Sequence, residues 1–87
     1  MTDQAFLMRA TEITAEARRA MDIHPPINTA HEGYAVIKEE LDEFWEEVKL
    51  NPNKLSAAGR ADRIDRMRKE LTQTAAMCLR TMLDLEL

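Results

Sequence analysis

The residues of this chain best suited to chemistry are a row of glutamates on one predicted helix and a glutamate with a glutamine on the next. Glu39, Glu40 and Glu43 sit in a run from Glu32 to Glu47 that holds seven acids and one base, Lys38. With Ile37 as the zero direction and a step of about 100° per residue, Leu41, Phe44 and Val48 fall at roughly 40°, −20° and 20°. Glu40, Glu47 and Glu43 fall at about −60°, −80° and −120°, along one border of that apolar stripe. Like charges three and four residues apart repel, so the row calls for compensation. A divalent cation can supply it, or bases on another helix.

A hard cation such as Mg²⁺ takes oxygen ligands, often one or two carboxylates together with substrate phosphates. Glu40 and Glu43, one turn apart, can face a single ion. Glu70 and Gln73 repeat the same spacing further along the chain. Two helices that each offer such a pair across a bundle are a common way to build a metal site. The plainer reading is a solvated acidic face balanced by Arg63, Arg66 and Lys69 of a neighbouring helix.

Three helices must position these groups. The first is expected from about Asp3 to Met21, capped by Thr2, with Phe6, Ala10, Ile13 and Ala17, and Ala20 and Met21 beyond them, on its apolar face. His24-Pro25-Pro26 breaks the chain, because proline has no backbone donor and restricts the residue before it. Thr29-Ala30-His31-Glu32 reads as a capping box opening a second helix that ends at Lys49 or Leu50. Its core stripe is Tyr34, Ile37, Leu41, Phe44 and Val48, with Tyr34 and Trp45 expected to pack. Asn51-Pro52-Asn53 is turn chemistry. The third helix, from about Ser56 to Asp84, presents Ile64, Met67, Leu71, Ala75, Cys78, Leu79, Met82 and Leu85. Gly59 is expected to fray or break its start. At 1.5 Å per residue this helix spans roughly 43 Å, against a diameter near 30 Å for a compact chain of this size. It overhangs its own domain, which predicts a partner helix from a second copy.

Composition agrees. The chain has 87 residues, a formal charge of −4 and one cysteine. One helical domain over residues 1–87 is expected, with no intrachain disulfide. The acidic balance argues against a nucleic-acid polymer as partner. No apolar run approaches the roughly 20 residues of a membrane span, and no secretory leader is read at the start, which predicts a cytoplasmic address. His24 and His31 read as surface or capping residues. Cys78, Met8, Met21, Met67, Met77 and Met82 read as core or interface fillers.

The segment H-E-G-Y-A-V-I-K-E-E-L-D-E-F-W-E-E resembles the second helix of the MazG-like all-α nucleoside triphosphate pyrophosphatases. That family's pattern is Glu-Glu-x-x-Glu, a loop, then Glu-x-x-Asp. Glu39-Glu40-Leu-Asp-Glu43 matches the first half, and Glu70-Leu-Thr-Gln73 the second except at its last position. The T-A-A-M-C-L-R stretch also resembles the small-residue third helix of some members, so the likeness covers roughly Thr29 to Asp84. It implies an antiparallel bundle of three main helices completed by dimerisation, and Mg²⁺-dependent hydrolysis of a nucleoside triphosphate to monophosphate and pyrophosphate. It implies Glu40, Glu43, Glu70 and Gln73 as metal ligands, Glu39 as a catalytic neighbour, and Arg66 and Lys69 as contacts to phosphate. Gln73 departs from the pattern and removes one negative charge. A module that binds nucleotide or metal without turnover is therefore a second expectation, and a plain helical interaction protein a third.

Overall fold

The fold described here is a computed structural model covering residues 2–87. It is all-helical: α1 (Asp3–Ile23), α2 (Ala30–Val48) and α3 (Ala57–Asp84), with a short 3-10 turn at Pro52–Lys54 before α3. Each helix begins where a side chain can serve an orphan backbone N–H. The Thr2 hydroxyl accepts from Ala5 N–H, Thr29 from Glu32 N–H, and Ser56 from Gly59 N–H. The Ser56 cap corrects one expectation, since α3 runs unbroken through Gly59. A second correction concerns the capping box. The Glu32 carboxylate reaches past the cap and accepts from Asn28 N–H at 2.7 Å. α1 continues two residues beyond Met21 and stops at His24, which the following proline holds extended. At the other end of α2, the Arg63 guanidinium donates to the Glu47 and Val48 carbonyls at 2.9 and 3.3 Å. These are the orphan acceptors of a helix C-terminus, where positive charge is favoured.

α3 is the spine. α2 runs antiparallel to it, so Gly33 meets Thr81 at one end and Glu47 meets Arg66 at the other. α1 runs parallel to α3, with Glu12 near Arg68 and the segment after α1 bonded to Asp84 through Ile27 N–H. α1 and α2 each pack on α3 and scarcely meet one another, which leaves a cleft between them.

The core is small and made of small residues: Ala17, Ala20, Ile27, Ala76 and Met77. Here the structure corrects the sequence reading in part: Ala17 and Ala20 lie in the core and Ile13, Ile37 and Leu79 pack against it as expected, but most of the largest apolar residues stay outside. On α3 the buried residues are Ala76, Met77, Arg80 and Thr81. They lie roughly 80° to 180° around the helix from the stripe centred on Leu71. Ile64, Leu71 and Met82 are exposed, as are Phe6, Met8, Met21, Tyr34, Leu41 and Trp45. α2 turns its carboxylate border toward α3 along with part of its apolar stripe: Val36 and Ile37 pack on the core, and Phe44 and Val48 are half-buried. The reason is steric: glycine and alanine let helices approach closely, and the large side chains are left outside that contact. A β-carbon on Gly33 would stand 2.6 Å from Thr81 Cγ2.

The molecule is elongated, at 43 × 30 × 21 Å. Its radius of gyration is 14.7 Å, where a compact chain of this length has about 12 Å. Its accessible surface is 6392 Å², where a folded monomer of this mass exposes roughly 5,200 Å². Among the described residues no helix is long and apolar enough to cross a membrane.

Candidate metal centre

Glu40 and Glu43 project from the middle of α2 and Glu70 from the facing turn of α3. One carboxylate oxygen from each lies within 4.8 Å of the other two. Such crowding is held in place by the helices on either side of it: Gly33 against Thr81 and Arg63 at the α2 C-terminus fix the register of α2 on α3. Glu40 Oε2 and Glu70 Oε2 are buried and accept no hydrogen bond. Buried acceptors without donors are costly and uncommon.

The electrostatics follow. Burial pushes the Glu40 carboxyl up to about 7, helped by the charges of Glu43 and Glu70, by its contact with Glu43 and by Glu39. Glu70 is also raised, by burial first and then by Glu43, with Glu47 adding to the effect and Lys69 opposing it. Near neutral pH the site therefore holds part of a proton in place of a cation.

The donor set fits a hard divalent ion. Oxygens around Mg²⁺ at 2.0–2.1 Å stand about 2.9 to 4.2 Å apart. The observed spread of up to 4.8 Å is slightly wider than that range. The donors are all oxygen, and two of them are orphaned, which is the chemistry such an ion requires.

The remaining predicted residues fall around this centre. Glu39 is exposed on the rim of the cleft between α1 and α2. Gln73, one turn beyond Glu70, lines the same cleft with Glu40. Arg66 is engaged: its Nε donates to Glu47 Oε1 at 2.9 Å. Lys69 points to the groove between α1 and α3, near Glu16 and Gln73. His24 stands at the cleft mouth and is exposed; Cys78 is half-buried and free.

Two residues escape the sequence reading of the site. Glu47 is a fourth carboxylate beside the cluster, with Oε2 buried and unpaired. Its wheel position beside Glu40 was the available signal. Arg80 is 5% exposed and lines the cleft. Its signal was an arginine inside a run of small and apolar residues, with Asp84 one turn on.

The cleft has a volume of about 410 Å³ and runs from Glu40 to the His24-Pro25 break. Compared with known proteins, the chain matches no family model, no curated protein and no solved structure.

Proposed function

We propose that this protein is a Mg²⁺-dependent nucleoside triphosphate pyrophosphohydrolase that works as a homodimer. The observation that carries the reading is the trio Glu40, Glu43 and Glu70, with two orphaned buried oxygens, one member of which, Glu40, lines a nucleoside-sized cleft together with Glu39 and Gln73. The resemblance of Glu39-Glu40-x-x-Glu43 and Glu70-x-x-Gln73 to the MazG-like pattern supports it. Glu40, Glu43 and Glu70 would hold the cation, and the Gln73 amide oxygen would be available as a fourth donor. A cation bound there neutralises phosphate charge and lowers the pKa of an attacking water. Glu39, on the rim and free of ion pairs, takes the water's proton. Water attacks the α-phosphorus, the bond to the bridging oxygen breaks, and pyrophosphate leaves. Lys69, whose charge is felt at Glu70, would have to swing out of the α1–α3 groove to reach phosphate oxygens; Arg66 holds Glu47 and acts through that carboxylate.

The dimer would rest on exposed apolar side chains, Ile64, Leu71 and Met82 of α3 and Leu41 and Trp45 of α2. The surplus of roughly 1,200 Å² of exposed surface exceeds the ~800 Å² that each partner buries in a standard interface. Leu71→Glu is expected to yield a monomer by light scattering.

The test of activity is pyrophosphate release from the common triphosphates with Mg²⁺, alongside thermal unfolding with Mg²⁺ alone. Release together with a raised Tm supports the reading. No release and an unmoved Tm overturn it. A raised Tm without release favours the binding module, which the neutral Gln73 makes the specific alternative.

A further inference from the structure

Arg80 is the one basic side chain buried among the described residues. Its Nη2 donates to the Pro25 carbonyl at 2.6 Å. Its Nη1 finds only the Met77 sulfur, at 3.8 Å, a weak acceptor. Its Nε lies 3.5 Å from Asp84 Oδ2, close enough for attraction but without a hydrogen bond. That same Oδ2 already accepts from Ile27 N–H at 2.8 Å. The guanidinium's charge is thus balanced while its N–H groups are not. A guanidinium has five donors, and a buried donor left unmet is costly.

Arg80 lines the inner end of the cleft, beside the apolar surfaces of Ala20, Pro25, Val36 and Met77. A ligand that completes this end must bring an acceptor. It is not an anion. Asp84 already neutralises Arg80, Arg19 is tied to Glu16, and Glu16, Glu39 and Glu40 all face the same space. A neutral carbonyl oxygen on a flat ring suits both the free N–H groups and the apolar walls.

We propose that the inner end of the cleft takes a nucleobase bearing a ring carbonyl, which accepts from the Arg80 guanidinium, so that keto bases are preferred over adenine. The assignment rests on the pyrophosphohydrolase reading for the direction of the ligand: phosphates at the glutamates, base at Arg80. A hydrogen bond to a charged group contributes about 1.5–3 kcal/mol, or roughly tenfold to a hundredfold in specificity.

Inosine and adenosine nucleotides differ at the ring position where one carries a carbonyl and the other an amino group. Pyrophosphate release from ITP and ATP is compared, with binding of IMP and AMP measured by calorimetry. The expected result is a kcat/KM for ITP at least tenfold above ATP and tighter binding of IMP, with both ratios narrowed in Arg80→Lys, which keeps the charge beside Asp84 but loses the planar fork. Equal or better use of ATP overturns the base assignment and leaves the hydrolase intact. Preference for inosine with no release from any triphosphate overturns the hydrolase and keeps the base assignment. Failure of both nucleotides to bind or turn over sinks both. A preference that Arg80→Lys leaves unchanged overturns the role of Arg80. Should Arg80→Lys not fold, as judged by circular dichroism, the wild-type ratios alone decide the base preference.

Discussion

Two places in this molecule bury charge, and they handle it in opposite ways. At one end of α3, Arg80 and Asp84 neutralise each other and stitch the break after α1 to the spine, through Pro25 and Ile27. Midway along, Glu40, Glu43 and Glu70 crowd together with Glu47 beside them, and Arg66 answers only Glu47. The first arrangement is what a fold needs. The second works against the fold, since like charges and burial both raise its energy. Strongly perturbed groups of this kind cluster at functional sites. The contrast separates a pair whose charge is balanced, and which lacks only hydrogen-bond acceptors, from a cluster whose charge is not, where burial alone would not.

The contrast can be broken from the structural side first. Asp84→Ala removes the partner of a buried guanidinium and the acceptor of Ile27 N–H. A loss of about 3–5 kcal/mol is expected in urea unfolding. A loss under 1 kcal/mol would show that Arg80 finds compensation elsewhere. Next comes the helix approach that holds the glutamates in register. Gly33→Ala drives a β-carbon into Thr81 Cγ2 and is expected to cost about 1–3 kcal/mol. Adding Thr81→Ser, which deletes that methyl group, should restore much of the loss.

From the functional side the sign reverses. Glu43→Gln relieves both Glu40 and Glu70 and is expected to raise apo stability by about 0.5–1 kcal/mol near pH 8. An unchanged or lower Tm would contradict the crowding. Glu40, whose folded pKa of about 7 stands above its ordinary value of 4.5, gives the same test without mutation. The folded state binds more protons between those values. Its contribution is fully present below about pH 4.5 and is lost as pH rises through about 7. Apo Tm is therefore expected to fall across that window, and saturating Mg²⁺ to flatten or reverse the trend, because the ion takes the carboxylates deprotonated. The smallest effect expected is Gln73→Asp: a few tenths of a kcal/mol lower apo stability, with tighter Mg²⁺ binding by calorimetry. Unchanged affinity would remove Gln73 from the donor set.

The sequence carried the helices and the glutamate trio well, because both depend on local rules. Caps at Thr2 and Thr29, the proline break, and three- and four-residue spacing are short-range signals. It misled about the core. The wheel favours the largest apolar residues, and here Leu71, Ile64 and Leu41 face outward while Gly33 and Ala76 make the contact beside Ala17 and Ala20, which the α1 pattern places inward. Close helix approach is decided by what is absent from a side chain, which hydrophobicity does not register. Arg80 was missed for a related reason: a charged residue on an apolar wheel reads as an edge, and only its distance to Pro25 and Asp84 shows it to be inside.

The bare stripe on α3 has a consequence for the chain in dilute solution. When association covers apolar surface that folding alone leaves wet, folding and assembly become one equilibrium, and the folded fraction follows mass action. The apparent melting temperature should climb with protein concentration, and a chain made in few copies would be the first to be lost to proteolysis. Abundance, as much as sequence, then sets how many working sites exist.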